Sequence, residues 1–312
     1  MLTIARLFLP LIKYPYHGRH IACPVCEGQS WRIICRLDRR LKHLPTAMCN
    51  HCGLLYTNPM PTDAELGIYY AELYRFDYQM AVSAPKEQHI RKRDREAQAR
   101  IGALEGLLKP GARTLDFGCG SGEFVSQMVE AQYDAQGFEP GESYGNYARQ
   151  RLGDRIRVAR WQDVEYGEKF DLVTCFHVIE HLNDPLAAIR KLVSWLKPGG
   201  LAYIEVPDLM PERDRKGFGF FHFAHVIGFG HHTLVLAAAR AGLVPVRKVS
   251  PTGIIFRLGA SEDPELLAAR GLAAATEHFV TDSPYRRYLA YQAGKLFKRP
   301  KKNPPPVRVA GE

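Results

Sequence analysis

No stretch of the 312-residue chain approaches the roughly 18–20 consecutive apolar residues that a membrane-crossing helix needs. Leu2–Ile12 is apolar but short, and Arg6 and Pro10 interrupt it. It has neither a basic leader nor a small-residue cleavage site, so it reads as a docked N-terminal segment and not a signal peptide. The dinucleotide fingerprint G-x-G-x-x-G is missing, which argues against a nicotinamide or flavin dehydrogenase. Also missing is the N/D-P-P-[FYW] signature for amino groups on bases. Seven cysteines make an odd number, and their clustering is not that of a disulfide framework. These absences imply a cytoplasmic protein. The 46% hydrophobic and 24% charged residues are those of an ordinary globular chain, long enough for one substantial α/β domain and a small accessory unit.

Charge is the first positive feature. The formal net charge of +9 favours anionic partners such as nucleic acid, phosphorylated substrates or a membrane surface. Much of it lies in local runs: Arg91-Lys92-Arg93 in a mixed-charge helical stretch, and Lys295–Lys302 before a Pro-rich tail. A solvated helix face and an unstructured end account for both runs, so charge alone selects no substrate.

Four of the cysteines form two CxxC units, Cys23/Cys26 and Cys49/Cys52, with 22 residues between them. Two such knuckles present four thiolates to one tetrahedral Zn²⁺, and a closed four-cysteine site is structural because it leaves no open coordination position. Gly53 supplies the turn after the second knuckle. A redox dithiol is the competing reading, but neither CxxC sits in a thioredoxin-like βαβ unit. Cys35 reads as a buried strand residue, and Cys119 and Cys175 as small core residues. His51 is dispensable as a ligand.

Beyond a helical stretch from about Lys86 to Leu108, the pattern becomes that of alternating strands and helices. Arg113–Gly118 reads as a short buried strand that runs into Gly118-Cys-Gly120-Ser-Gly122 and then a helix over Glu123–Ala131. That turn lets a ligand approach backbone amides at a helix N-terminus. The next strand, Asp134–Phe138, ends at Glu139, about 20 residues past the loop, where a ribose-binding acid is expected. Further strands are expected over Arg155–Arg160, Phe170–Phe176, Leu201–Val206 and Gly253–Gly259, with Asp163 placed to accept from an adenine amino group.

LDFGCGSGEF, GFEPGES, FDLVTCFHVIEHLNDP and LKPGGLAYIEVPD resemble, in order and spacing, the successive motifs of class I S-adenosylmethionine (SAM)-dependent methyltransferases over about residues 110–260. The resemblance implies an α/β fold, a Rossmann-like doubly wound seven-stranded sheet, here with a small N-terminal zinc ribbon. It assigns the methionyl part of the cofactor to Gly118, Gly120 and Gly122, the ribose to Glu139, and the adenine to Asp163 and Val164. Asp116 and Phe117 flank the cofactor, Asp116 partly through its ammonium group, and Phe176 ends the fourth strand beside it. The zinc ribbon, then Tyr56–Pro61 and a tyrosine-bearing helix over Glu65–Arg75, also look like sugar and polysaccharide-cluster methyltransferases. In that group a tyrosine of this region covers the cofactor, a role that falls here to Tyr74.

Methyl transfer to a hydroxyl or carbon atom requires removal of a proton, and histidine is suited to that task. The candidates are His177 and His181 in His177-Val-Ile-Glu180-His181, and His222 and His225 before the segment His225, Phe229, Leu234 that matches the family's substrate-mouth motif. Spacing of three and four predicts His177, Glu180 and His181 on one side of a helical turn. Quinone-pathway O-methyltransferases carry a similar E-x-x-E-H segment. There the segment is associated with a divalent metal; with His177 in place of its first glutamate the ligand set is incomplete, and the stretch is read as structural or substrate-facing.

The implied organisation is an N-terminal segment (1–20), the ribbon (21–60), a helical connector and cofactor lid (61–109), the SAM-binding domain (110–260), and C-terminal helices with a basic Pro-rich tail (261–312). The expected function is methylation of a sugar nucleotide, glycan or related small metabolite, with peripheral contact between the basic tail and the inner face of a membrane. RNA methylation is the alternative, opposed by the lack of an aromatic platform between the knuckles. A non-catalytic scaffold is the third reading.

Overall fold

The computed structural model of the protein describes residues 13–70, 74, 87–209, 216–260, 262–279 and 284–296. The N-terminal Leu2–Ile12 segment and most of the basic tail lie outside the described residues. Among those described, no helix is long and apolar enough to cross a membrane.

The ribbon comes first, with strands β1 (Trp31–Leu37), β2 (His43–Cys49) and β3 (Leu55–Thr57). A short helix, α1 (Asp63–Ile68), starts at a capping box in which Thr62 and Glu65 bond each other's backbone N–H groups, and α2 (Glu87–Gly102) follows. The large domain then alternates: β4 (Arg113–Phe117), α3 (Glu123–Glu130), β5 (Asp134–Glu139), α4 (Glu142–Leu152), β6 (Ile156–Val158), β7 (Phe170–Phe176), α5 (Pro185–Ser194) and β8 (Leu196–Glu205). A two-residue strand, β9 (Ile227–Gly228), precedes α6 (His231–Ala239), β10 (Leu243–Ser250) and β11 (Gly253–Leu258). Two C-terminal helices, α7 (Pro264–Phe279) and α8 (Pro284–Leu296), complete the described chain.

The seven strands of the large sheet lie in the order β10-β11-β8-β7-β4-β5-β6. Neighbours from β8 to β6 are parallel, whereas β11 enters antiparallel to β8. This is the expected Rossmann-like methyltransferase sheet. Its central strands are covered on both faces, so β7 and β8 read as near-continuous apolar runs, with Leu172, Val173, Cys175, Ala202, Tyr203 and Ile204 buried. The expected strand over 155–160 is shorter, because only Ile156–Val158 pairs with β5. The strand expected from Leu201 begins at Leu196, since Leu196 already pairs with Phe170. The Lys197–Gly200 turn interrupts the register before Leu201 meets Leu172.

The ribbon is fastened to this domain at three places. β9 pairs with β3 through Leu55–Gly228 and Tyr56–Ile227 and becomes the fourth strand of the ribbon sheet. Arg39 N–H donates to Phe221 O at 2.8 Å, and Thr57 N–H to Val226 O at 2.8 Å. The second knuckle also packs on α7. Gly53 has φ +74°, and a Cβ there would stand 2.4 Å from Gly271 O; a Cβ on Gly271 would stand 2.4 Å from Cys52 O. Both glycines are therefore fixed by a backbone-to-backbone approach. Gly53→Ala combines the left-handed penalty with overpacking, a loss of roughly 2–5 kcal/mol. The expected result is a lower thermal midpoint with the four-cysteine site still assembled; an unchanged midpoint would show that the knuckle does not seat on α7.

Candidate active site

Strands β4, β5, β7 and β8 end on the same edge of the sheet, where open α/β sheets bind ligands. The Gly-rich turn there is tight. Gly118, Gly120 and Gly122 all have positive φ; a Cβ on Gly118 would strike Val178 at 2.6 Å, whereas one on Gly120 would meet nothing within 4 Å. Gly118 is thus set by packing, and Gly120 leaves backbone bare toward open space.

Glu139 ends β5 beside that gap. Its two carboxylate oxygens accept from Gly120 N–H at 3.1 Å and Gly141 N–H at 2.8 Å. Desolvation pushes its carboxyl up to about 7 against those two bonds, with the nearby Asp116 adding to the rise. Asp116, buried at the end of β4, accepts from Thr174 Oγ1 at 2.7 Å, and burial raises its carboxyl to about 6. A polarised acid next to exposed backbone amides fits the ribose and zwitterionic end of an adenosyl cofactor.

The remaining candidate cofactor residues are placed less uniformly. Phe117 and Val164 are core residues, 1% and 3% exposed, and Phe117 packs on Phe138. Asp163 is exposed and turned toward Arg160, 2.9 Å away. Tyr74 stands edge-on to His181, with ring centroids 6.4 Å apart, among Tyr69 and Tyr70. Phe176 packs edge-to-face on Phe124 and Tyr203 and lies under the Arg100 guanidinium at 4.1 Å.

All four candidate histidines converge near the ends of β7 and β9, but not by the expected helical turn. His177 sits outside any helix with φ +58°, and only Ile179–His181 forms a single 3₁₀ turn. His177 N–H donates to Glu205 O at 2.8 Å and so continues the β7–β8 ladder one residue past β7, where the backbone reverses. His177 Nε2 meets Glu205 Oε1 at 3.0 Å, and Arg100 donates to the same carboxylate at 2.7 Å. Against the upward pull of burial, the bonds from His177 and Arg100 hold Glu205 down at about 2. His181 packs edge-on to His225 at 4.7 Å, and His225 packs on His222 at 4.0 Å. Burial, with neighbouring Arg39 for His222 and with His222 itself for His225, keeps both imidazoles well below the ordinary histidine range and therefore neutral. Phe229 and Leu234, from the substrate-mouth motif, are buried in the core.

The cysteines divide as expected. Cys23, Cys26, Cys49 and Cys52 place their sulfurs within 4.8 Å of one another, with Cys23–Cys52 at 3.6 Å and Cys26–Cys49 at 3.5 Å. Zinc–sulfur bonds of about 2.3 Å define a tetrahedron with edges of about 3.8 Å, so the cluster fits the ion nearly as it stands. His51 N–H points at Cys49 Sγ at 3.4 Å, and its ring lies between Cys26 and Glu265, with Nε2 2.9 Å from Glu265. Cys35, Cys119 and Cys175 are buried singly.

A family model described as a methyltransferase domain matches residues 89–248. The chain belongs to this methyltransferase family. It is 34% identical over 109 residues to a ubiquinone biosynthesis O-methyltransferase of Xanthomonas campestris pv. campestris, covering 33% of this chain and 46% of that protein. To the ubiquinone biosynthesis O-methyltransferase of Stutzerimonas stutzeri it is 30% identical over 115 residues, covering 35% and 50%. The chain thus spans about half the length of the curated relatives it matches. Among solved structures, a SAM-bound amino pentose methyltransferase from Micromonospora echinaspora, involved in calicheamicin biosynthesis, aligns with 20% identity and a TM-score of 0.46, covering 57% of this chain and 99% of that one.

Sequence reasoning missed Arg100, Glu205 and Tyr70 as residues of the candidate site. Arg100 lies in a charge-rich helix that reads as solvated, yet it is 8% exposed and bound to Glu205. Glu205 ends its strand on the same edge as Glu139, and that shared strand-end position was the available signal.

Proposed function

We propose that the protein transfers the methyl group of SAM to a hydroxyl or carbon atom of a small molecule, a sugar nucleotide, glycan or related metabolite, and that its ribbon holds one structural Zn²⁺. The observation that carries the cofactor assignment is Glu139, whose two oxygens accept from the amides of Gly120 and Gly141 beside the bare backbone of the glycine turn. SAM supplies a methyl group already activated on a sulfonium sulfur. What the chain must add is position, since in-line transfer depends on holding the acceptor at roughly 3–3.5 Å.

Glu139 would hold the ribose and the Gly118–Gly122 turn the methionyl end, while Asp116 bears a negative charge above its apparent pKa for the cofactor's ammonium group. Burial opposes a positive charge on His222 and His225, so the more open His177 and His181 are the better placed of the four to take up the acceptor's proton. The names of the curated relatives support O-methylation of a small molecule, and the ribbon-connector order supports a sugar-bearing acceptor.

Calorimetry of the zinc-loaded protein with SAM and with S-adenosylhomocysteine tests the cofactor, followed by radiolabelled methyl transfer to a panel of nucleotide sugars and phenols. Micromolar binding and label on a small acceptor are expected. Intact, folded protein that binds neither cofactor form would sink the enzymatic reading in favour of a scaffold role.

A further inference from the structure

The backbone of His177 has φ +58°, a left-handed conformation that costs a non-glycine residue energy and recurs where a side chain must be aimed. Two attachments to a single residue fix it there. The His177 N–H donates to Glu205 O at 2.8 Å, and ring Nε2 meets Glu205 Oε1 at 3.0 Å.

Glu205 is itself held. Arg100 donates to its Oε1 at 2.7 Å and to its Oε2 at 3.4 Å, and the guanidinium lies 4.1 Å over the Phe176 ring. Both partners are sheltered, the Arg100 side chain 10% and the Glu205 side chain 21% exposed. An ionised carboxylate only accepts hydrogen bonds, so a neutral His177 ring carries its hydrogen on Nε2 and its lone pair on Nδ1. Nδ1 faces Glu180 Oε1 at 3.8 Å. Glu180 is buried, and neither of its oxygens receives a hydrogen bond from the described residues. His177 thus stands between two carboxylates, bonded to one and facing the other.

His181 lacks this arrangement. Its Nε2 also lies 3.7 Å from Glu180, but its Nδ1 is set against the carbonyl of Ala224 at 2.7 Å. A carbonyl dipole steadies a positive ring less than a carboxylate does. The His181 side chain is also the less open, 18% exposed against 32% for His177.

We infer that His177 is the base of the reaction, acting through Nδ1, and that Glu205 and Arg100 are positioning residues that fix its ring for the task. The inference rests on the proposed methyl transfer and assigns the proton's destination. The acceptor atom passes its proton to Nδ1 as it bonds to the methyl carbon, and the electron pair of the broken carbon–sulfur bond stays on sulfur. The imidazolium so formed donates from Nε2 to Glu205 and turns an N–H toward Glu180; after the product leaves, the proton passes to water. Glu180 gains that donor only as the proton moves, so its contribution is larger in the transition state than before it. The charged and titratable groups around the ring are Glu205 from β8, Arg100 from α2, Glu180 and His181 from the turn, and His225 from the later loop, with Asp116 of β4 within the field of Arg100.

The test combines nitrogen-15 NMR of the histidine rings with kinetics, both on zinc-loaded protein. The His177 signal is the one missing from His177→Gln. Glu205→Gln keeps the shape and removes the charge, and the midpoint of the His177 titration is expected to fall by at least about one pH unit. In methyl transfer to whichever nucleotide sugar or phenol takes the label, the same variant loses on the order of 10²–10⁴-fold in kcat with SAM affinity unchanged. The acid limb of its pH profile moves with the NMR midpoint, which a merely structural role would not cause. Should Glu205→Gln not fold, the double variant Glu205→Gln with Arg100→Gln removes both charges of the pair and carries the same loss of kcat. An unmoved His177 midpoint, an unchanged kcat in the variant, or a larger loss of kcat in His181→Gln than in His177→Gln would overturn the inference. If no acceptor takes label, the methyl-transfer reading fails by itself, and the NMR midpoints still decide whether Glu205 governs His177.

Discussion

Glu139→Ala lowers affinity for SAM and S-adenosylhomocysteine by on the order of 100-fold or more, without loss of fold. A carboxylate that accepts from both ribose hydroxyls makes two charge-assisted hydrogen bonds, each contributing about 1.5–3 kcal/mol. Their sum exceeds 100-fold by the usual conversion of about 1.4 kcal/mol per decade. The bonds Glu139 already makes to Gly120 and Gly141 reduce the net effect, because part of its hydrogen-bonding capacity is occupied in the free protein.

The pH dependence has a definite sign. Burial holds the free carboxyl at about 7, above its ordinary 4.5, while ribose hydroxyls donate to the ionised form. Affinity therefore rises with pH up to about 7, levels off above it, and is accompanied by proton release below it. The free protein shows the opposite trend: the raised value makes this group's contribution to stability fall as pH climbs from 4.5 to 7, so Glu139→Gln is relatively more stable at pH 8 than at pH 4. Calorimetry in buffers of differing ionisation enthalpy measures the proton count. Binding that is pH-independent from 5 to 8 would remove Glu139 from the ribose site.

Stripping the zinc proposed for the four-cysteine ribbon has the largest expected effect on the fold. Zinc bound to small four-ligand folds contributes about 10–16 kcal/mol, as much as the whole stability of a typical domain, so the knuckles do not persist without it. The damage then spreads along the contacts already described. Cys52 and Gly53 release α7, β3 releases β9, and the Phe221–Val226 stretch that carries His222 and His225 loses its bonds to Arg39 and Thr57. Glu139 and the glycine turn belong to the other sheet and are not part of that chain of contacts. A chelator that removes about one zinc per chain should therefore lower the thermal midpoint and disorder the histidine loop while leaving S-adenosylhomocysteine affinity nearly intact. Hydrogen exchange resolves the two regions; equal protection of residues 221–229 before and after chelation would show that the ribbon does not support the site.

What the sequence revealed was set by short-range rules. The CxxC spacings, the Gly118–Gly122 turn and the acid at the end of β5 each follow from a few neighbouring residues, and the structure has each at its expected place in the fold. Pairings between distant segments left no local mark. Ile227–Gly228 is too short to show a two-residue period, yet it closes the ribbon sheet. Arg100 resembles any cation on a solvated helix until Glu205 is placed beside it. The His177–His181 stretch has helical spacing, but the β7–β8 ladder runs on past β7 to His177, whose backbone then takes a left-handed conformation. The residues do meet, by a route that periodicity does not encode.

The pairing of β3 with β9 also sets an order of events during synthesis. Both cysteine knuckles leave the ribosome early and can close on a metal ion at once. The outer edge of β3 meets its partner only after residue 228 has been made, when five of the seven strands of the large sheet already exist. Until then, the N–H and C=O groups of Leu55 and Thr57 form an open strand edge, the kind of surface on which nascent chains pair wrongly with one another. The ribbon is thus translated before the large sheet but finished only after most of it, and a nascent chain stalled before residue 227 presents that edge uncovered.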